Sequence, residues 1–251
     1  MKKLALTFIL GLMLMQNVFA QEVTVAAAAN LQAALEELKT TFENDVQIKL
    51  KTVIGSSGKL TAQIENGAPF DIFMSADMSY PETLFKEGLA MDRPQRYAYG
   101  VLVLWTLKPI VLSMGVELLP DPSIRKIAVA DPRTAPYGRE AVNVLKYYNL
   151  YPRVARKLVY GESIAQTNQF ITTQAADIGF TSKSTVAAPG LKEKGTWAEI
   201  DPQSYNAIAQ GAVILKHAQV SGAEPAQKFY NFLFSAKAKD IFKHYGYKVD
   251  E

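Results

Sequence analysis

The sequence predicts an α/β protein of two lobes, each a mixed sheet flanked by helices, closing like a clamshell over a cleft. Three observations carry that prediction. Short β-branched or alanine-rich runs alternate with amphipathic helical stretches along the chain. Two extended stretches, residues 97–106 and 205–216, break the alternation and suit crossings between lobes. The 251 residues are 49% apolar, enough for one large core or two smaller ones, with no repeat or low-complexity tract dividing them.

The first twenty residues stand apart. Lys2 and Lys3 precede an apolar run from Leu4 to Met15, and Val18-Phe19-Ala20 ends in small residues. That is the charged, apolar and cleavage-site order of a secretory signal peptide cut after Ala20. The run is short for a membrane span of ~20 residues. The expected organisation is a leader over 1–20, a first lobe from 21–100, a second from 101–212, and a return to the first over 213–251.

In chain order, 22–29 is a strand that ends in alanines. Asn30, a good N-cap, opens a helix whose Leu31, Ala34, Leu35, Leu38 and Phe42 form one apolar stripe. A strand over 46–54 places Val46, Ile48 and Leu50 on one face. A small turn, Gly55-Ser56-Ser57-Gly58, leads to a helix over 58–66. A strand over 71–76 and a helix over 81–86 follow, and then the first long extended stretch. The second lobe reads as a strand over 126–132, a helix over 138–148, a strand over 157–160, a helix over 163–173 and a strand over 177–180. Helices over 224–235 and 238–245 close the chain.

Composition excludes several functions. Beyond Lys2 and Lys3 the chain has 25 of its 27 basic residues against 24 acidic ones, so no basic footprint for nucleic acid or membrane surface exists. Without cysteine there is no thiol catalysis and no Cys-ligated metal, and His217 and His244 are too few for a histidine-rich metal site. The Gly-Lys of the 55–59 turn is not a nucleotide-phosphate loop: Val53 and Leu60 stand where that motif needs Gly and Ser or Thr.

Four strand-to-helix corners share one character: Ala28-Ala29-Asn30, Gly55-Ser56-Ser57-Gly58, Ala135-Pro136-Tyr137-Gly138 and Gly161-Glu162-Ser163-Ile164. A helix start exposes backbone N–H groups and roughly half a positive charge. Four converging starts would balance a doubly charged anion without lysine or arginine. Asn30, Ser56, Ser57 and Tyr137 add side-chain donors. Each also has a purely structural reading: Asn30 as a cap, Ser56 and Ser57 as turn formers, Tyr137 as packing. Lys59, Arg133 and Arg139 beside the corners read as solvated surface.

In the pieces Ala26-Ala-Ala-Ala-Asn-Leu31, Ile54-Gly-Ser-Ser-Gly-Lys-Leu60, Gln63-Ile-Glu-Asn-Gly-Ala-Pro-Phe-Asp-Ile-Phe-Met-Ser-Ala-Asp77, Asp131-Pro-Arg-Thr-Ala-Pro-Tyr-Gly138, Ala176-Asp-Ile-Gly-Phe180 and Ile241-Phe-Lys-His-Tyr-Gly246, the chain resembles the periplasmic molybdate-binding proteins of ABC importers. The resemblance runs through the mature chain in order. It implies a monomeric receptor with the two-lobed fold of periplasmic binding proteins (type II), a partner permease in the inner membrane, and no cofactor. It implies an oxyanion held through its oxygens, with no protein atom on the molybdenum, by Asn30, Ser57, Tyr137 and the Ile164 N–H; Ala29 and Ser56 are possible additions. The chain departs from the family at Ala29, where one version has Thr, and near Ser182, where many members carry a tyrosine. In the branch of the family that the chain most resembles, the third-corner tyrosine supplies the phenol instead, which implies that role for Tyr137.

A pocket of donors suits molybdate or tungstate, which carry no proton at neutral pH. Protonated phosphate would turn its own O–H toward a donor, at a cost of ~1–3 kcal/mol. Sulfate is separated only by size, so a receptor for sulfate or another tetrahedral oxyanion is the alternative. A secreted serine hydrolase using Ser57 or Ser163 with His217 or His244 is the remote one; neither serine lies in the nucleophile-elbow motif.

Overall fold

The computed structural model describes residues 21–250; the predicted leader, 1–20, lies outside them. Ten strands carry the fold: β1 (Glu22–Ala28), β2 (Lys49–Gly55), β3 (Ile72–Met74), β4 (Gln95–Gly100), β5 (Leu102–Thr106), β6 (Ile127–Ala130), β7 (Leu158–Gly161), β8 (Ile178–Ser182), β9 (Thr196–Glu199) and β10 (Ile208–Ile214). The principal helices are α1 (Gln32–Val46), α2 (Ser57–Glu65), α3 (Ser79–Lys86), α4 (Pro136–Tyr147), α5 (Ile164–Thr172), α6 (Lys183–Val186), α7 (Ala223–Phe232) and α8 (Ala236–His244). Among the described residues no helix is long and apolar enough to cross a membrane.

The strands form two five-stranded mixed sheets, in the orders β2-β1-β3-β10-β4 and β7-β6-β8-β5-β9. The two orders are the same. β1 runs parallel to β2 and β3 as β6 does to β7 and β8. β10 runs antiparallel to β3 and β4 as β5 does to β8 and β9. The chain leaves the first sheet after Gly100 and enters the second at Leu102 with only Val101 between. It returns between β9 and β10. The extended crossings expected from the sequence are therefore present, the second starting in earnest only at Ile208, after a 3-10 turn at Pro202–Ser204.

Apolar periodicity explains the packing. Leu31, Ala34, Leu35, Leu38 and Phe42 are all buried against the first sheet. The last two helices close that same core: Phe42 meets Phe229 edge-on at 5.1 Å, and Tyr97 stacks on Phe242 at 5.2 Å. A second cluster crosses the cleft, joining Ala28, Ala29 and Ala76 of one lobe to Tyr137, Ile164 and Leu104 of the other. Alanines at the mouth of the first sheet leave room for the larger side chains opposite.

One strand starts later than its pattern predicts. Val46 ends α1 rather than beginning β2, and stands exposed. Gln47 takes a left-handed conformation (φ 59°), stopping the helix before Lys49 starts the strand.

Each lobe is pinned by a buried aspartate that precedes its central strand. Asp71 accepts from the Thr24 N–H (2.7 Å) and bonds His217 (2.9 Å) and Ser221. Asp177 accepts from the Arg125 and Lys126 N–H groups (2.8 Å each) and from Lys108. Burial pushes the Asp177 carboxyl up, but the Lys108 ammonium and the two backbone donors outweigh it and hold it below its usual value. A folded pKa below the unfolded ~3.9 gives stability that is present above that value and lost as pH falls through the folded one. Asp177→Asn is therefore expected to cost about 1–3 kcal/mol in urea unfolding at neutral pH, and the gap to wild type should narrow in acid. A gap that stays constant down to the acid limit contradicts the assignment.

Candidate functional site

The matching strand orders dictate where the four corners meet. The helix starts after β1 and β2 in one lobe correspond to those after β6 and β7 in the other, so the closed cleft brings two from each side together. They line a small cavity of about 10 Å³, formed by Ala28, Ala29, Asn30, Ser56, Ser57, Ala76, Ala135, Pro136, Tyr137 and Ile164. All six residues singled out in the sequence line this one cavity, and it is far below the ~300–1,000 Å³ of pockets for organic ligands. No charged side chain is among the lining residues.

The corners are built to leave donors unused. A side-chain oxygen normally caps a helix start, and its loss costs about 1 kcal/mol. Here Ala28 and Ala135 stand at two of the cap positions and have nothing to cap with. Ser56 stands at the third but makes no cap bond. Its Oγ is buried with no partner, and it is the one side-chain polar atom so placed among the described residues. Only the fourth start is capped, by Ser163 Oγ accepting from Gln166 N–H at 3.4 Å. The first N–H groups of these helices, Ile164 included, have no acceptor within their own helix.

The side chains are oriented by their neighbours. Ser57 Oγ accepts from the Ala76 N–H at 3.0 Å, which leaves its own hydrogen to donate. The Tyr137 hydroxyl oxygen accepts from Gln210 Nε2 at 3.0 Å. Burial, reinforced by the nearby Tyr247, pushes the Tyr137 phenol well above its ordinary value, so it stays neutral and protonated. Asn30 differs from expectation. It does not cap its helix, which opens as a 3-10 turn (Ala29–Leu31) before α1. Its Nδ2 instead donates to Gln210 Oε1 (2.9 Å) and Tyr247 OH (3.0 Å). Both amide hydrogens are thereby committed, so the donor Asn30 offers to the cavity is its backbone N–H.

The cations beside the corners stay outside the cavity, each with a carboxylate. Lys59 pairs with Glu162 at 2.6 Å and Arg133 with Asp131 at 2.6 Å, while Arg139 pairs with Asp77. The Lys59 and Arg139 pairs join one lobe to the other, as does the Gly58 N–H donating to Thr134 O at 2.9 Å. Arg139 is thus a strut across the cleft rather than a solvated surface charge.

The residues required by a hydrolase do not meet. His217 is bound to Asp71 and His244 packs against Tyr245 at 5.3 Å, and neither is hydrogen-bonded to Ser57 or Ser163.

Three contributors were not legible as site residues: Ala76, Gln210 and Tyr247. Gln210 had one signal, a lone amide within the otherwise apolar Ile208–Ile214 strand. It is wholly buried, so it must have partners.

Residues 23–248 match the family of bacterial extracellular solute-binding proteins. The chain is 39% identical over 229 residues to the molybdate-binding protein ModA of Azotobacter vinelandii, covering 91% of this chain and 90% of that one. It is 36% identical over 250 residues to ModA of Rhodobacter capsulatus, covering 98% and 95%. The solved periplasmic molybdate-binding protein of Azotobacter vinelandii superposes with a TM-score of 0.87 at 31% identity, covering 91% of this chain and all of that one. The chain therefore belongs to the bacterial extracellular solute-binding proteins and, within them, to the ModA group of molybdate-binding proteins.

Proposed function

We propose that the chain is a periplasmic receptor that takes molybdate, and tungstate with it, into the cavity between its lobes and delivers it to the permease of an ABC importer. The observation that carries this reading is the donor-only wall: four helix starts, the Ser57 and Tyr137 hydroxyls and the unpartnered Ser56 Oγ, with no charged side chain. Such a wall favours an anion without protons. The ligand donors in this reading are the N–H groups of Asn30 and Ile164 and the hydroxyls of Ser57 and Tyr137, with Ala29 and Ser56 in support. They approach the anion's oxygens, so the metal atom needs no protein ligand.

Closure is a population shift. The anion meets donors of both lobes only when the cleft is shut, so binding favours the shut form that a permease can recognise. The chemistry asked of the protein is binding alone, as the names of its relatives describe.

A thermal-shift screen of residues 21–251 tests the reading. At ~100 times its Kd, molybdate or tungstate should stabilise the fold by about 2.7 kcal/mol, while sulfate, phosphate and chromate leave it unmoved. A comparable shift with sulfate would mean a smaller cage than a molybdate receptor needs. Indifference to every oxyanion would remove the receptor reading altogether.

A further inference from the structure

The donors facing the cavity are hydroxyls, and a hydroxyl is a donor only if its hydrogen points the right way. For Tyr137 that direction is set from behind. Its oxygen is bonded to Gln210 Nε2, and the other end of Gln210 accepts from Asn30 Nδ2 and, at 2.9 Å, from Tyr97 OH. Asn30 turns its NH₂ to Tyr247 OH at 3.0 Å and to Gln210 Oε1 at 2.9 Å, and Gln210 turns its own NH₂ to Tyr137. The Tyr247 hydrogen is within reach of the Asn30 carbonyl at 2.9 Å and of Ser184 Oγ at 3.1 Å, and the Tyr97 hydrogen is within reach of Gln210 Oε1 and of the Ser75 carbonyl at 3.0 Å. With Gln210 in this orientation the Tyr137 oxygen accepts, and its hydrogen is free for the cavity.

We propose that Gln210 is a positioning residue that fixes the Tyr137 hydroxyl as a hydrogen-bond donor, and so makes the cavity select oxyanions that carry no proton. This deepens the receptor reading and rests on it. Gln210 does not line the cavity; it acts through Tyr137. It also lies in the first lobe, on β10, while Tyr137 lies in the second, on α4, so the direction is imposed when the lobes are together. The phenols in the chain keep their hydrogens, since burial pushes Tyr97, Tyr137 and Tyr247 all above the ordinary phenol range.

Gln210→Glu reverses the direction while keeping the shape. The carboxylate still accepts from Asn30 and Tyr97, but its second oxygen now takes the Tyr137 hydrogen. The Tyr137 oxygen then faces the cavity as an acceptor. The probes are molybdate and arsenate, titrated by calorimetry at mildly alkaline pH, where arsenate is a dianion with one proton. Both ions carry the same charge, so repulsion by the new carboxylate weakens both alike, and the preference between them reads the hydroxyl's direction. The preference for molybdate should fall on the order of tenfold or more. In a Tyr137→Phe background the same Gln210→Glu change should leave the preference where it was.

An unchanged preference in Gln210→Glu, or a shift that persists without the Tyr137 hydroxyl, overturns the role of Gln210 while leaving the receptor reading intact. A wild-type protein that binds neither ion overturns both. If Gln210→Glu does not fold, Gln210→Met carries the test. It frees the hydroxyl to turn either way and should lower the preference several-fold, and no change would overturn the proposal.

Discussion

Gly100→Ala is expected to weaken molybdate binding about a hundredfold and to destabilise the protein by about 1–3 kcal/mol. Gly100 ends β4, one residue before the chain crosses to the second lobe. A methyl group there would sit well inside the Tyr137 hydroxyl, 2.8 Å from Tyr137 Cζ and 2.5 Å from Gln210 Nε2. The glycine is needed for this space alone, since its backbone is not in the left-handed region. The added carbon pushes apart the two side chains whose bond orients the cavity donor. Calorimetry with molybdate and urea unfolding of the ligand-free protein read the two effects separately. Adding Tyr137→Phe removes the closest clashing atom, so the double variant should regain stability without regaining affinity. Wild-type affinity in Gly100→Ala would mean that Tyr137 does not touch the anion.

Much of this site could be read from the sequence because it rests on local chemistry. Small residues at strand-to-helix corners announce helix starts whose backbone N–H groups stay exposed, and helices open at all four corners. The strands and helices with clean periodicity, such as the Leu31-to-Phe42 stripe, formed as expected. Periodicity is weakest where an element is short or exposed. The four-residue edge strand Thr196–Glu199 and the one-turn helix Lys183–Val186 had no pattern to show. Val46 misled because an apolar residue at the end of a helix looks like the start of the strand behind it.

The convergence of the corners was less legible, because it depends on two sheets sharing one strand order. The polar chain behind the cavity was less legible still. Asn30 reads as a cap, since asparagine at a helix start usually is one. Its actual partners, Gln210 and Tyr247, lie 180 and 217 residues away. No local rule reports such bonds. What sequence can report is the debt they settle: a buried amide in an apolar strand must find partners somewhere.

Gly58→Ala is expected to weaken molybdate binding by ten- to a hundredfold while leaving the ligand-free protein as stable as wild type. Gly58 sits in the first turn of α2, against the opposite lobe. A Cβ there would lie 3.0 Å from Thr134 Cα and 3.1 Å from Thr134 Cβ, with the Tyr80 hydroxyl 2.7 Å away. Tyr80 can swing aside, but the Thr134 backbone can give way only if the lobes part. Parting them also lengthens the bond from Gly58 N–H to Thr134 O. The methyl is therefore a wedge that opposes the shut form and costs the open form nothing. Overpacking of ~1–3 kcal/mol applied to closure alone appears as lost affinity of that order. Gly100 differs in its place: it lies at the crossing itself, where the lobes part least, and its methyl meets Gln210 of its own lobe as well as Tyr137 of the other. Scattering measurements that compare the overall dimensions of each variant with and without molybdate distinguish them. At saturating molybdate Gly100→Ala should still contract, whereas Gly58→Ala should contract less than wild type. If Gly58→Ala contracts fully and binds normally, the close approach at Thr134 is not what limits closure.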